Sequence, residues 1–436
     1  MIKNNVLVEG KETLVNAIEQ TLHAIQPDNL VKRSVILHNG ELVIKGCSEE
    51  RFKLDAFGSI HLLGWGKASG LMAEEVEKIL PINGGIVNIL RGTHFKVKHI
   101  QLQEAEHPIP GAGSLEGTRK MLEYAKHIRK NDLVICLISG GGSALLSQPV
   151  EGLKLEEKQK IIDRLMKAGA NINELNTVRK HLSKVKGGRL AEKLYPATVV
   201  NLIISDVVGD PLDVISSGPT VPDSTSFSDA RRILQKYSLW DDSNACRIIA
   251  AGIDGKIEDT PEPGDTVFRN VHSSIIGSNE IALLAAKKYL ESNGMKPELI
   301  RNVQGDAREV GAMLAGLLKK GKTFIAGGET TVKVAGKGMG GRNQEVALAC
   351  ALEIAGMKGL LFASFGTDGI DGSSPADGAI VDGHTIERGR ELRLDALEFQ
   401  RNNDSYNFFK KIGACITTGP TRTNVNDVMI GLASSQ

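Results

Sequence analysis

The feature that most constrains this chain is a repeated alternation of short apolar runs with amphipathic helical stretches, joined by glycine-rich loops. Apolar runs of this length, without polar alternation, are typical of parallel strands that are covered on both faces. The run Leu133–Ser139 is the clearest example, because nearly every residue in it is apolar and the loop Ser139–Ser143 follows directly. The alternation therefore predicts an α/β fold with doubly wound layers and helices on both faces of the sheet.

A chain of 436 residues is too long for one hydrophobic core, so two domains are expected. The least regular stretch is 254–271, and we therefore predict domains at 1–255 and 256–436. The segments that carry the site are predicted as strands at 59–64, 133–139, 198–205, 323–326, 332–335 and 360–365, and as helices at 68–80 and 343–354.

The overall charge excludes some function classes. The chain has 53 basic and 52 acidic residues, whereas proteins that bind nucleic acids or membrane surfaces usually carry a cationic excess. No apolar run reaches the roughly 18 residues of a spanning helix, and residues 1–5 lack the apolar stretch of a signal peptide. The five cysteines are odd in number and widely spaced, which favours reduced thiols. We expect a cytoplasmic protein with no nucleic-acid or membrane partner.

The loop Ser139-Gly140-Gly141-Gly142-Ser143 is the strongest candidate for chemistry. Three consecutive glycines remove every Cβ from the turn, so that backbone N–H groups can converge on an anion at a helix start. A tight crossover turn is the alternative interpretation, but such a turn seldom needs three glycines between two serines. We interpret the loop as a cradle for an anionic group, which could be a phosphate or a carboxylate.

A second glycine loop, at 64–70, also joins a strand to a helix and carries Lys67. It is not a Walker A motif, because Ala68 follows the lysine, and its spacing Gly-x-Gly-x-x-x-Gly is not the dinucleotide fingerprint. A lysine at a helix start opposes the helix dipole. Lys67 is therefore interpreted as a ligand-binding residue rather than as a stabilising one.

Charged residues follow other predicted strands. The basic run 178–189 ends in Gly187 and Gly188, although a solvated helix face is the alternative interpretation. Asp206 and Asp210 come just after the strand at 198–205. Carboxylates at the carboxyl end of a strand suit Mg²⁺ binding or proton transfer.

The second half repeats the arrangement of glycines and charges. The loop 336–341 leads into Arg342 at a helix start, and arginine suits bidentate contact with phosphate or carboxylate. The loop 366–372 carries Asp368, and it could be a cation-binding turn or a plain turn, since it lacks the ligands of an EF-hand. The polar segment 417–427 is predicted to connect two strands.

Taken together, these segments resemble the glycerate 2-kinase family, the class II glycerate kinases of the MOFRL type. The resemblance covers most of the chain from residue 60 onward. It is carried by Gly64–Ala68, Glu106–Pro110, Ser139–Leu145, Asn176–Ser183, Lys186–Arg189, Ser205–Pro211, Ser217–Thr220, Gly340–Glu345, Gly366–Gly372, Thr418–Thr421 and Thr423–Asp427.

The resemblance implies phosphorylation of D-glycerate to 2-phosphoglycerate, with ATP and Mg²⁺. It also implies a Rossmann-like N-terminal domain, a smaller C-terminal α/β domain and an active site in the cleft between them. Lys67 and Arg342 match the cationic pair that the family is thought to use on phosphate. D-glycerate and ATP are the expected partners, with a homodimer as an option.

From these patterns and the resemblance we assign three groups of candidate residues. Lys67, Arg342 and Asp206 are the catalytic candidates, and Asp210 and Asp368 are the metal-binding candidates. The candidates for binding substrate or phosphate are Ser139, Gly140, Gly141, Gly142, Ser143, Arg179, Lys186, Arg189, Asn343 and Glu345.

Two alternative reactions stay open at this point, beside a non-catalytic module that binds a sugar or a nucleotide, which would explain the glycine loops but not the charges on them. An NAD(P)-dependent hydroxypyruvate reductase would need a strand, a Gly-x-Gly-x-x-Gly turn and an acid about 20 residues further on, and the sequence has no such combination. Phosphorylation of the 3-hydroxyl is the other alternative, since only the resemblance favours the 2-position.

Overall fold

The computed structural model describes residues 11–46 and 48–434. Two compact units make up the chain: an N-terminal unit, Val31–Ile276, and a C-terminal unit, Gly277–Gln436 together with Met1–Leu30. None of the helices in these described ranges is long and apolar enough to cross a membrane.

Two helices precede the first sheet, α1 (Lys11–Ala24) and α2 (Pro27–Ser34). The N-terminal unit then contains β1 (Val35–His38), β2 (Glu41–Lys45), β3 (Glu49–Lys53), β4 (Ile60–Trp65), α3 (Ser69–Ile79), β5 (Gly84–Leu90), β6 (Ile100–Ala105), α4 (Ala112–Ala125), β7 (Leu133–Ile138), α5 (Gly142–Leu145), α6 (Leu155–Lys167), α7 (Ile172–His181), α8 (Arg189–Leu194), β8 (Thr198–Ile204), α9 (Phe227–Lys236), α10 (Asn244–Ile253) and β9 (Val271–Gly277).

The main sheet of this unit has the strand order β6-β5-β4-β7-β8-β9, and β4 to β8 pair in parallel. This is the order 3-2-1-4-5-6 of doubly wound sheets. All six residues of β7 are buried, as expected for a central strand covered on both faces. Because crossovers are right-handed and the chain reverses direction across the sheet after β6, α3 and α4 lie on opposite faces. The predicted α/β fold with two domains is confirmed.

The C-terminal unit contains α11 (Asn279–Ser292), β10 (Glu298–Asp306), α12 (Ala307–Lys319), β11 (Phe324–Thr331), α13 (Arg342–Glu353), β12 (Leu360–Gly366), β13 (Gly378–Asp382), α14 (Thr385–Glu391), α15 (Ala396–Arg401), α16 (Ser405–Lys411), β14 (Cys415–Ile416) and β15 (Asp427–Ala433). Its sheet has the order β10-β11-β15-β12-β13-β14. Among the described strands of this sheet, β10 and β11 pair in parallel, and β15 inserts antiparallel between β11 and β12. The pairs β12–β13 and β13–β14 are also antiparallel.

Three details differ from the sequence-based expectations. The predicted strand at 332–335 is wrong: β11 ends at Thr331, and the residues that follow form an irregular loop before α13. The division between the units falls at 276/277 rather than at 255/256, because β9 lies beside β8 in the N-terminal sheet. Residues 11–30 belong to the C-terminal unit, because α1 packs its apolar face on α11.

Candidate active site

Two glycine loops meet where the strand order of the N-terminal sheet reverses. The chain leaves β4 toward β5 on one side, whereas β7 lies on the other side of β4. In open α/β sheets, ligands bind outside the carboxyl ends of the strands at such a switch point. The loops that carry Lys67 and Ser139 follow β4 and β7, so the topology places both of them there.

Hydrogen bonds tie the two loops together. The backbone N–H of Lys67 donates to the Gly140 carbonyl at 2.9 Å, and that of Ser139 donates to the Trp65 carbonyl at 3.2 Å. The Ser139 hydroxyl accepts a bond from the Ala68 N–H at 3.0 Å. Ser139 is buried, so its side chain holds the Lys67 loop in place. The structure thus brings these two predicted site residues together, with Ser139 in a positioning role.

The glycines of the loop are needed because other side chains approach it closely. A methyl group built on Gly140 would lie 2.1 Å from Asp206 Oδ2, and one on Gly142 would lie 2.1 Å from Ser216 Oγ. Asp206 follows β8, the neighbour of β7, and therefore reaches the same edge of the sheet. The helix after the loop, α5, has a single turn, so backbone amides rather than a helix dipole are what this loop can offer an anion.

His107 is a neighbour of this loop that the sequence analysis quoted only within a motif. Gly141 has φ of 79°, and a methyl group built on it would lie 2.8 Å from His107 Cδ2 and 3.2 Å from Lys67 Cγ. Burial, and then the charge of Lys67, lower the pKa of His107 to about 4. The imidazole is therefore neutral at pH 7 and can donate or accept a hydrogen bond beside Lys67. The sequence could have indicated His107, because it lies just after a strand and directly before a proline.

A chain of polar side chains continues from the end of the loop. The hydroxyls of Ser143 and Ser217 are 2.9 Å apart, and Ser217 donates to Asn176 Oδ1 at 3.0 Å. Arg179 Nη1 donates to the same oxygen at 3.3 Å. Ser217 and its neighbour Ser216 have φ of 62° and 54°. A positive φ places both residues in the left-handed region of the backbone, where a non-glycine residue carries a strain of about 1–3 kcal/mol. Strain of this kind is typical of functional sites.

Lys186 is hydrogen-bonded to the end of the same loop. Its ammonium donates to the carbonyls of Ser143 and Ser216 at 3.0 and 3.4 Å, and its side chain is fully buried. Burial, and then the charges of Lys158 and Arg179, lower the pKa of Lys186 well below its usual value. These three cations line one cavity of about 460 Å³ together with Ser143. The sequence analysis missed Lys158 because a lysine on a helix with other charged residues looks like a solvated residue.

Two predicted residues of this unit lie apart from the cavity. Arg189 begins α8, donates to the Glu258 carbonyl at 2.6 Å and lines a different depression. Asp210 lies in the turn after β8 with φ of 54°, and its N–H donates to the Val207 carbonyl at 3.1 Å.

In the C-terminal unit, Arg342 begins α13 and pairs with two carboxylates. Its Nη1 donates to Glu329 Oε1 at 2.5 Å, and its Nε lies 2.7 Å from Asp427 Oδ2. Burial opposes the charge of the guanidinium, but Asp427 and Glu329 outweigh it and raise the pKa of Arg342. Burial raises the pKa of Asp427 to about 6, although Arg342 opposes this shift.

The residues after Arg342 are mostly buried structural partners. Asn343 donates to Asp427 Oδ1 at 2.9 Å and accepts from the Ser364 hydroxyl at 2.7 Å. Glu345 accepts from Arg308 Nε at 3.0 Å, and burial raises its pKa. Both predicted binding residues therefore help to fix α13.

Asp371 fixes the start of α13. It accepts the backbone N–H groups of Asn343 and Gln344 at 3.0 and 2.9 Å, and burial raises its pKa to about 7. A cavity of about 720 Å³ lies beside this helix start and is lined by Arg342, Glu345 and Asp368 among others. The structure therefore brings these three predicted residues to one cavity.

Two family models match the chain. The one described as "Domain of unknown function (DUF4147)" matches residues 13–249, and the one described as "MOFRL family" matches 322–427. A D-glycerate 2-kinase of Thermotoga maritima is 39% identical, over 97% of this chain and 98% of that protein. A glycerate 2-kinase of Pyrococcus horikoshii is 38% identical, over 99% of each. This chain belongs to the glycerate 2-kinase family.

Solved structures agree with this membership. A crystal structure of a protein from Pyrococcus horikoshii OT3 superposes with a TM-score of 0.88, at 37% identity over 99% of this chain and 100% of that one. A crystal structure of a glycerate kinase from Thermotoga maritima superposes with a TM-score of 0.87, at 38% identity over 97% and 99%. The arrangement of strands found here is thus that of the glycerate 2-kinase family.

Some relatives carry another name. A "Putative hydroxypyruvate reductase" of Agrobacterium vitis is 38% identical over 85% of this chain. In the present chain, a member of the glycerate 2-kinase family, the segment from the end of β4 into α3 has the spacing Gly64-x-Gly66-x-x-x-Gly70. Lys67 lies at the centre of this segment. The dinucleotide fingerprint has one residue fewer before its last glycine, so the turn does not match that of a nicotinamide enzyme.

Proposed function

We propose that this chain transfers the γ-phosphoryl group of ATP to the 2-hydroxyl of D-glycerate, giving 2-phosphoglycerate and ADP. The observation that carries the proposal is the junction of the two glycine loops. There Lys67 and neutral His107 lie against a triple-glycine turn, beside a carboxylate, Asp206. The similarity to the D-glycerate 2-kinase of Thermotoga maritima and the glycerate 2-kinase of Pyrococcus horikoshii supports the same activity.

The proposed chemistry depends mainly on positioning and charge neutralisation. The 2-hydroxyl oxygen attacks the γ-phosphorus, the bond from that phosphorus to the bridging oxygen breaks, and the hydroxyl proton passes to a base. Asp206 is our candidate for the base, since it lies against Gly140 in the same loop system. If the amides of the triple-glycine turn bind the substrate carboxylate, Lys67 would neutralise the transferring phosphoryl group. If they bind the phosphoryl group, Lys67 would neutralise the carboxylate.

In this proposal Arg342 acts with Lys67 on the phosphoryl group. Arg342 is already engaged by Glu329 and Asp427, which fix the plane of its guanidinium. A guanidinium fixed in this way loses less rotamer entropy when it also contacts an anion. We retain the pairing with Lys67 as a kinetic hypothesis, which a double variant tests.

The carboxylates of this chain fit an Mg²⁺ ion that is shared with the substrate phosphates. Among residues 11–46 and 48–434 there is no cluster of three or more histidine, cysteine or acidic residues that could hold a metal by itself. Mg²⁺ in kinases is usually held by one or two carboxylates together with substrate phosphates, and such a site needs no larger cluster. Asp206, Asp210 and Asp368 are the candidates, and the ion would supply charge neutralisation of the phosphates.

We also infer a cytoplasmic location. Cys136, Cys246 and Cys350 are buried and unpaired, as expected in a reducing compartment. A homodimer stays a prediction, which light scattering on the purified protein would test.

The test of the function uses the purified protein with two substrate pairs. With D-glycerate, ATP and Mg²⁺, we expect ADP release, and phosphorus NMR of the product should show a phosphate on carbon 2. With hydroxypyruvate and NADH, the nicotinamide absorbance should stay constant. NADH oxidation without ADP release would overturn the proposal in favour of a reductase, and a 3-phosphate product would overturn the regiochemistry.

A further inference from the structure

The cavity of about 460 Å³ in the N-terminal unit has an unusual balance of charge. Its lining includes four basic residues, Lys158, Lys160, Arg179 and Lys186, but only two acidic ones, Glu156 and Asp163. Asp163 is already paired with Lys167 at 2.7 Å. The lining therefore has an excess of positive charge, which suits a ligand with more than one negative charge.

Two of these cations are buried without a counter-ion. Lys158 and Lys186 are 5% and 2% exposed, and no carboxylate in the described part of the chain pairs with either of them. The ammonium of Lys158 has no hydrogen-bond partner at all in those residues. A buried charge without a partner costs several kcal/mol, so its presence in a cavity indicates that a ligand supplies the missing partner.

Other buried donors near the cavity are also unpartnered. The Ser216 hydroxyl, next to Gly142, has no hydrogen-bond partner, and neither has the indole N–H of Trp65, whose Cδ1 atom faces the same glycine. Gly142 directly precedes Ser143, which lines the cavity. All three unpartnered groups, including Lys158, can donate a hydrogen bond. A shared need for an acceptor points to an anion with several oxygen atoms.

The rest of the cavity wall is apolar. Ile109 is 66% exposed and Met166 is 49% exposed, and both line the cavity together with Pro108, Pro110 and Ile162. The wall is held in place by Gln159, which donates from α6 to the Pro110 carbonyl at 2.6 Å. A three-carbon acid has no apolar surface to match this wall, and it would leave most of a cavity of this size unfilled.

We infer that this cavity binds the nucleoside triphosphate, with its phosphates on Lys158, Arg179 and Lys186 and its base against the wall formed by Ile109 and Met166. The inference rests on the proposed kinase function. It leaves the junction of Lys67, His107 and the triple-glycine turn to the acid and to the phosphoryl group in transit. Ser143 and Lys186, which belong to both regions, would join the two parts of the site.

The main test compares two lysines near the start of α6. Lys158→Met keeps the length of the buried stem and removes the ammonium, and Lys154→Met removes an exposed charge outside the cavity. By calorimetric titration with AMP-PNP and Mg²⁺, we expect the Kd of Lys158→Met to rise about ten- to hundredfold, since hydrogen bonds to charged groups are worth that much. Lys154→Met should bind AMP-PNP as the wild type does.

A second pair of ligands tests the apolar wall. Ile109→Ser should weaken binding of AMP-PNP several-fold and leave the affinity for tripolyphosphate unchanged. Only AMP-PNP has a base, and the substitution removes the apolar contact between that base and residue 109. The substitution lies on an exposed side chain, so the fold should tolerate it. Equal weakening of both ligands would overturn the placement of the base.

The outcomes separate this inference from the proposed function. An unchanged affinity of Lys158→Met for AMP-PNP overturns the inference while wild-type ADP release upholds the kinase activity. Weaker binding of 2-phosphoglycerate with unchanged binding of AMP-PNP assigns the cavity to the acid and also overturns it. If the wild type releases no ADP with D-glycerate, the proposed function fails, and the AMP-PNP titrations still decide whether the cavity is a nucleotide site.

Discussion

The backbone N–H of Lys67 donates to the carbonyl of Gly140 at 2.9 Å, and this bond fixes the loop after β4 to the loop after β7. The two loops are separated by more than seventy residues along the chain, counted from the positions of the two partners. They meet because β4 and β7 are neighbours in the parallel sheet. The cation and the triple-glycine turn are therefore positioned by two adjacent buried strands of the N-terminal unit.

Lys67→Ala should lower kcat/KM for D-glycerate by about 10²–10³-fold, because one charge on a transferring phosphoryl group is worth several kcal/mol. Lys53→Ala, which removes an exposed lysine from β3, is the matched control and should keep wild-type kinetics. Steady-state assays of ADP release would measure both. A Lys67→Ala enzyme within about threefold of the wild type would remove Lys67 from the mechanism.

Gly140→Ala should lower kcat by about tenfold or more while the protein stays folded, because the new methyl group would lie 2.1 Å from Asp206 Oδ2 and displace that carboxylate. Gly316→Ala is the matched control, since a methyl group there meets nothing within 4 Å. That change lies within α12 and should raise stability by about 0.5–1 kcal/mol. Kinetics and thermal unfolding of both variants check this, and a normal kcat for Gly140→Ala would show that the contact with Asp206 is not needed.

Arg342→Met should destabilise the C-terminal unit by about 3–5 kcal/mol at pH 8, because it leaves the buried Asp427 carboxylate without its cation. The loss should be smaller at pH 5. Burial raises the pKa of Asp427 to about 6, and the loss of Arg342 raises it further. A folded-state pKa above the unfolded value means that stability falls as pH rises through it. The cost relative to the wild type therefore grows above about pH 6.

Urea unfolding at pH 5 and pH 8 would measure the effect of Arg342→Met. The double variant Arg342→Met/Asp427→Asn has no carboxylate to titrate at this position, so its stability should fall less between pH 5 and pH 8 than that of the single variant. An equal cost of the single variant at both pH values would contradict the role of Asp427.

Lys158→Met should raise the free energy of unfolding of the N-terminal unit by about 1–4 kcal/mol at pH 6, because it replaces an unpartnered buried ammonium with an apolar side chain. Burial, and then the charge of Arg179, lower the pKa of Lys158 to about 7. Its cost is fully present below this folded-state value and fades as pH rises toward the unfolded value. The gain should therefore shrink above pH 7, and thermal unfolding at pH 6 and 9 without nucleotide would show whether it does.

The pairing of Lys67 with Arg342 on one phosphoryl group predicts coupled kinetics. If both act on the same group in the transition state, the double variant Lys67→Ala/Arg342→Ala should lose much less activity than the product of the two single losses. The four enzymes of this cycle should be assayed at saturating ATP. Losses that multiply would indicate independent roles and would contradict the shared action.

The sequence alone determined the class of fold and the loops that carry the site. Uninterrupted apolar runs such as 133–138 favour buried strands, and clustered glycines with neighbouring charges mark loops at the strand ends, so β4, β7 and β8 were predicted within one or two residues. The same local patterns carried the family resemblance, and the family was confirmed. Local periodicity misplaced a strand at 332–335, because the pairing that defines a strand depends on a neighbour that the sequence does not reveal.

Only the tertiary structure decided which loops meet and which charges are buried. Strand order made β4 and β7 neighbours and carried β9 into the N-terminal sheet, and this moved the boundary between the units. Lys158 looks like any lysine on an amphipathic helix, yet packing buries it without a partner, whereas Arg342 is matched by two distant carboxylates. The physical reason is that the free energy of a charged side chain depends on its desolvation and on partners remote in the chain. Both are set only when the chain folds.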